Sequence, residues 1–252
     1  MPVIRNNLNS GSAIALATTT WTYTLSFTPT AGRCLLMYIT SATALSITSI
    51  VQGGSSASWS SITSSIVANR NIYIYALPNI PSGSNTTITL TLSASATLFT
   101  TFIEEVSNLV ASAGSLLDKT STTSGTGSTY QTGTTATTTT ANEYWVNIYA
   151  WYDNSFFGNP IGANPTNGYT IASPNPVTNS DGGWVGAGGI APFSVASGQI
   201  MAYKIVTATG TAGGNVDDGN LGSIQYNGLA FTLVGTPDAA VAARRRVTST
   251  FM

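Results

Sequence analysis

The chain has 252 residues and a formal net charge of −1, with 8 Lys and Arg, 9 Asp and Glu, one cysteine and no histidine. Charged residues make up 7% of it, against about a quarter in ordinary globular domains, so the side chains on which most catalysis depends are scarce. Ser-His-Asp triads, Cys-His dyads, imidazole metal sites and intrachain disulfides are excluded, and a near-neutral chain gives nucleic acid no electrostatic reason to bind.

A chain of this length can bury a sizeable core without covalent staples. Its apolar residues, 42% of the total, alternate with Ser and Thr and never form the run of about 20 that a membrane-spanning helix needs. No membrane contact is expected. The start, Met-Pro-Val-Ile-Arg-Asn-Asn, lacks a charged segment followed by an apolar one, so no secretory signal peptide is expected and residues 1–10 read as an N-terminal arm.

The first strand spans 20–27, where Trp21, Tyr23, Leu25 and Phe27 share one face and hydroxyl residues the other. Period-two alternation sets that apolar row against a core. Cys34 follows in an apolar run over 33–39 and reads as a small buried hydrophobe. The same alternation predicts half-buried strands over 71–76, 86–92 and 199–206. Between them Gly53-Gly54, Pro78-Asn79, Pro81-Ser82-Gly83, Asn167-Gly168 and Gly213-Gly214 supply turns. Helical periodicity is absent from the body of the chain, so the fold class is all-β, an antiparallel sandwich or jelly roll over 11–235. The Ser- and Thr-rich stretch 121–140 reads either as a linker dividing two sub-domains or as further strands of one continuous sandwich; flanking strand patterns favour the second.

Over 144–152 both faces are apolar, with Tyr144, Val146, Ile148, Ala150 and Tyr152 on one and Trp145, Asn147, Tyr149 and Trp151 on the other. This fits a central strand buried on both sides. It also fits a stacking platform for sugar rings, which makes Tyr149, Trp151 and the loop residue Trp184 candidate glycan contacts. Phe156 and Phe157, in another glycine-flanked loop, are either folded onto the core or partner contacts.

Glu104 and Glu105 are neighbours in a strand pattern and point to opposite faces, so they cannot act as a catalytic pair with each other. A glycosidase partner for either would have to come from Asp118, Glu143, Asp153 or Asp181. The simpler expectation is buried carboxylates that cap backbone groups or pair with Arg33, Arg70 or Lys119. No catalytic residue and no cofactor are expected. Asp217 and Asp218, among Asn and Gly residues, resemble calcium ligands in density, but the loop lacks an EF-hand register and reads as a turn.

At the end, Thr236-Pro237-Asp238 and the alanines after it predict a short helix within 236–252, with Arg244, Arg245 and Arg246 at its C-terminus, where the helix dipole favours cations. The same arginines, with Phe251 beyond them, also fit an arm that docks on an acidic partner.

In order, the apolar run at 35–37, Ile72-Tyr73-Ile74-Tyr75, Pro81-Ser82-Gly83-Ser84, Phe102-Ile103-Glu104-Glu105-Val106, Leu117-Asp118-Lys119-Thr120, Asn167-Gly168-Tyr169-Thr170 and Ala202-Tyr203-Lys204 form a series of strands and turns. Over about 10–235 this series resembles the β-sandwich domains of structural proteins of tailed bacteriophage virions and of some bacterial surface proteins. The resemblance implies a non-enzymatic capsid decoration or tail component, made in the host cytoplasm and located in the virion. Its partners would be other virion proteins and copies of itself. A glycan-binding, receptor-recognising module is the alternative.

Overall fold

A computed structural model describes residues 1–13, 19–54, 57–95, 99–153, 164–172, 177–178, 196–217 and 223–237. Its strands are β1 (Ile4–Ala13), β2 (Thr20–Thr24), β3 (Cys34–Ser41), β4 (Ile47–Gln52), β5 (Ser60–Ser65), β6 (Asn71–Leu77), β7 (Thr87–Leu92), β8 (Phe99–Ser107), β9 (Leu117–Gly127), β10 (Thr129–Gln131), β11 (Glu143–Asp153), β12 (Thr170–Ile171), β13 (Val177–Thr178), β14 (Ala196–Val206), β15 (Asn215–Asp217) and β16 (Ile224–Val234). One helical turn, α1 (Ala113–Leu116), precedes β9. The fold is all-β, as the alternation predicts. The C-terminal helix lies outside the described residues.

Among the described residues four antiparallel sheets stack in layers. A first inner sheet has the order β1-β8-β3-β6-β5, and a second has β12-β14-β11-β16-β9, with β13 also on β14. Between them Leu36, Tyr38, Ile74 and Phe102 pack against Val146, Ile148, Leu229 and Phe231. The outer face of the first inner sheet carries Leu35, Met37 and Ile39, which pack on Ile88, Leu90 and Leu92 of an outer sheet ordered β2-β7-β4. The outer face of the second carries Tyr149, Trp151 and Tyr226, which pack on Tyr130 and Val216 of the two-stranded sheet β10-β15. Strands in the inner layers therefore feed two cores at once. This explains the two apolar faces of β11, and it corrects the half-buried reading of β6, which is covered on both sides.

The layers come from a repeated topology. Adding eight to each strand number of β1-β8-β3-β6-β5 gives β9-β16-β11-β14-β13, the pairing of the second inner sheet, and β2-β7 likewise becomes β10-β15. Both repeats interrupt the ladder at the same rung: the bulge of β1 lies beside Val106 and that of β9 beside Leu233, the partners of Cys34 and Tyr144 in the equivalent strands β3 and β11. The repeats meet about an approximate two-fold axis, where Val110 N–H donates to Val234 O at 3.0 Å, Thr236 N–H donates to Asn108 O at 2.7 Å, and Leu109 bridges Gly235. The stretch 121–140 is thus no linker: β9 runs through it, and the chain crosses between repeats at 108–116. Residues 1–10 form most of an edge strand rather than an arm, and Val3 is buried in the shared core.

The Thr-rich segment after β10 has a period of three. Thr132, Thr135 and Thr138 donate backbone N–H to Gly214, Ala212 and Gly210 carbonyls. Each Oγ1 then accepts the N–H of the same partner, at 3.1, 2.9 and 3.1 Å. All three threonines are buried and close two-bond rings that an apolar side chain could not form. This segment lies across the outer face of the second inner sheet and comes so close to β16 that a Cβ on Gly228 would sit 1.8 Å from Gln131 O. A glycine inside a strand marks such a crossing.

Gly228→Ala should therefore destabilise the protein by at least about 1–3 kcal/mol through overpacking against backbone. Gly114→Ala, where a Cβ would meet nothing within 4 Å, should change stability little. Urea unfolding of both variants checks this; equal midpoints would contradict the crossing.

Candidate functional site

The chemistry-bearing side chains collect in two carboxylate clusters. Adjacent residues of β8 point to opposite faces, so Glu104 enters the core between the inner sheets while Glu105 turns to the other side. Glu104 accepts a hydrogen bond from Tyr38 Oη on β3, from Arg5 Nε on β1 at 2.5 Å and from Tyr144 Oη on β11 at 3.0 Å. The last of these crosses from one repeat to the other. The Arg5 guanidinium also lies 4.4 Å from the Tyr203 ring centroid on β14, a cation–π contact with the second repeat. Burial pushes the Glu104 carboxyl above its ordinary value, against the pull of Arg5 and the two phenols. Burial works against the Arg5 charge as well, but Glu104 outweighs it and holds the guanidinium protonated. Glu105 accepts Asn7 Nδ2 at 2.9 Å, Thr30 N–H at 2.6 Å and Arg33 Nη1 at 2.6 Å.

The second cluster joins the start of β9 to the start of β11. Asp118 accepts Lys119 Nζ at 2.8 Å, Thr139 N–H at 2.5 Å and Thr139 Oγ1 at 2.7 Å. Glu143 accepts Thr140 Oγ1 at 2.8 Å and Trp145 Nε1 at 2.7 Å, and it shares a hydrogen bond with Asp118. Burial, reinforced by the Asp118 charge, pushes Glu143 up to about 7. The donors on Asp118 outweigh its burial and hold it down at about 2. Between about 2 and about 7 the pair thus holds one proton, shared across the Asp118–Glu143 hydrogen bond. Neither carboxyl can reach a substrate, since the Asp118 side chain is 6% exposed and Glu143 is fully buried.

Among the other candidates, Trp151 and Tyr149 are 1% and 0% exposed under the outer strands, so neither offers a ring face on which a sugar could stack. This corrects their reading as glycan contacts; the buried central strand holds instead. Asp217 lies in a strand paired with β10, not a hairpin turn, and accepts Thr129 Oγ1 at 3.3 Å and Asn164 Nδ2 at 3.1 Å. No group of three potential metal ligands occurs among the described residues. Cys34 is buried, and its burial pushes the thiol well above the ordinary value, which makes it unreactive. Arg244, Arg245, Arg246, Phe251, Phe156, Phe157, Trp184 and Asp218 lie outside the described residues. Sequence reasoning missed Arg5 as the partner of Glu104: the two are 99 residues apart, and only the β1–β8 register brings them together.

Comparison with family models, with curated proteins and with solved structures gives no match.

Removing one member of the Arg5–Glu104 pair leaves a buried charge alone, so Glu104→Ala should cost about 3–5 kcal/mol in chemical denaturation. A loss below about 1 kcal/mol would contradict its bridging role. The second cluster sets a pH dependence. Between the ordinary carboxyl value of 4.5 and about 7, the folded pair holds a proton that the unfolded chain has released, so this stabilisation falls as pH rises through that window. Asp118 acts in the opposite sense, losing its contribution as pH falls from 3.8 to about 2. Glu143→Gln should flatten the fall between 4.5 and about 7 relative to the unsubstituted protein, measured by urea unfolding across pH; parallel profiles would contradict the shared proton.

Proposed function

We propose that this protein is a non-enzymatic structural component of a larger assembly, of the virion type that its strand series resembles, acting through self-association and docking of partner proteins. The observation that carries the reading is where the charged chemistry is spent. Glu104, Glu105, Asp118, Glu143 and Asp217 each already hold donors from the chain itself. Their role is cohesion between strands and between repeats. The surface is hydroxyl-rich in the same measure: Thr20, Thr22 and Thr24 on β2 and Thr120, Thr122, Ser124 and Thr126 on β9 are exposed. Association through such a surface rests on backbone pairing and apolar burial, with few ion pairs.

The docking residues proposed for partners are Arg244, Arg245, Arg246 and Phe251, which follow the last described residues. The segment leaves from Thr236, whose carbonyl accepts Asn142 Nδ2 at 3.0 Å beside the N-terminus, where the same nitrogen donates to Met1 O at 2.6 Å. Both ends of the described chain thus sit at the junction of the repeats. No helix among the described residues is long and apolar enough to cross a membrane.

The assembly should tolerate salt. At about 1 M the Debye length is about 3 Å, enough to screen surface charge while leaving backbone pairing intact. Sedimentation velocity should show the same oligomers in low salt and at about 1 M; dissociation by salt alone, or a monomer at every concentration, would overturn the reading. Immunogold labelling of particles from producing cells tests the virion assignment directly: label on the particle supports it, and label confined to free protein contradicts it.

A further inference from the structure

We propose that the free edge of β9 pairs antiparallel with β9 of a second copy of this chain, extending the second inner sheet across a two-fold axis. This rests on the self-association reading above and names its surface. β9 ends the order β12-β14-β11-β16-β9, so one side of its backbone has no strand partner among the described residues. Past its bulge the ladder to β16 runs unbroken from Thr120↔Phe231 to Gly127↔Ile224. Over 120–127 the sequence is Thr-Ser-Thr-Thr-Ser-Gly-Thr-Gly, with no charge and no proline, the two devices that most often protect an edge from pairing.

Other terminal strands differ. The bulge in β4 separates Ile47 from Ser49 and that in β5 separates Ser61 from Thr63, while β2 has five residues. β1 carries Arg5 and Asn7, turned in to Glu104 and Glu105. The side chains that β9 turns toward the core between the inner sheets, Thr122 beside Leu229 and Ser124 beside Asn227, are nonetheless exposed. At these positions that face of β9 is therefore open to water, although the strand also meets β5. Hydroxyl residues on what would otherwise be a core face fit a strand that stays in water on that side and pairs along its edge.

The occupant follows from symmetry. An uncharged stretch paired with itself about Thr123 sets Thr120 against Thr126 and Lys119 against Gly127, so like charges never face each other. The fold already contains one pairing of this kind, where 108–110 of the first repeat meet 234–236 of the second about the internal two-fold axis.

Two measurements on the full-length protein test the proposal. In hydrogen exchange at increasing concentration, amides of 120–127 should gain protection as the dimer forms. In sedimentation velocity, the double variant Thr122→Lys with Ser124→Lys should remain monomeric where the unsubstituted protein is dimeric, with an unchanged thermal unfolding curve, while Thr22→Lys on β2 should dimerise normally. Association with no concentration-dependent protection on β9, or with protection on β1 instead, would overturn the β9 assignment and leave the self-association reading standing. A monomer at every concentration would overturn both.

Discussion

Two inner sheets facing each other across one core set the terms for everything else in this molecule. Once Leu36, Tyr38 and Phe102 are pressed against Val146, Ile148 and Phe231, each sheet has a second face that must also leave water. The outer strands exist to cover it: β2, β4 and β7 on one side, β10 and β15 on the other. The cost of this layering is a large stock of buried backbone and polar groups, and each needs a partner. The hydroxyl-rich composition answers that need, most visibly in the three two-bond rings of Thr132, Thr135 and Thr138.

The same constraint explains the placement of the few charges. A carboxylate in a core between two repeats is expensive unless several donors converge on it. Glu104 draws donors from β1 and β3 of its own repeat and from β11 of the other, so it is satisfied only when both repeats are folded and docked. In the equivalent rung of the second repeat stands Phe231, the partner of Val146, as Glu104 is of Leu36. The two repeats share a backbone plan while filling it differently. That asymmetry gives the interface one specific polar junction within an otherwise apolar contact.

Much of the fold is legible in sequence because period-two alternation survives wherever one face meets a core: the row Trp21, Tyr23, Leu25, Phe27 and the double-faced run of β11 both lead to the right layers. The opposite faces of Glu104 and Glu105 follow from the same geometry, whereas alternation leaves Arg33, Arg70 and Lys119 equally open as partners and only the fold selects Arg33 for Glu105. The repeat is not legible, since burial restricts the class of residue at a rung and leaves its identity free, so Glu104 can stand for Phe231 and Met37 for Asn147. Arg5 is invisible as a partner without the register of β1. In the Thr-rich segment the period of three is hidden because nearly every position is threonine, and only the partner glycines and alanine reveal which ones turn inward. For Tyr149 and Trp151, aromatic identity suggests a contact surface while the apolar residues around them indicate burial, and burial prevails because a second outer sheet forms over them.

The central claim is that the two repeats form one cooperative unit through the shared core. Native-state hydrogen exchange along a denaturant series, followed at amides of β3 and β11, tests it most directly. The account predicts that both strands exchange only through the same global opening, with one free energy and one denaturant dependence. Separate opening free energies for β3 and β11, each with the smaller denaturant dependence of half a molecule, would mean that the repeats fold independently and would contradict it.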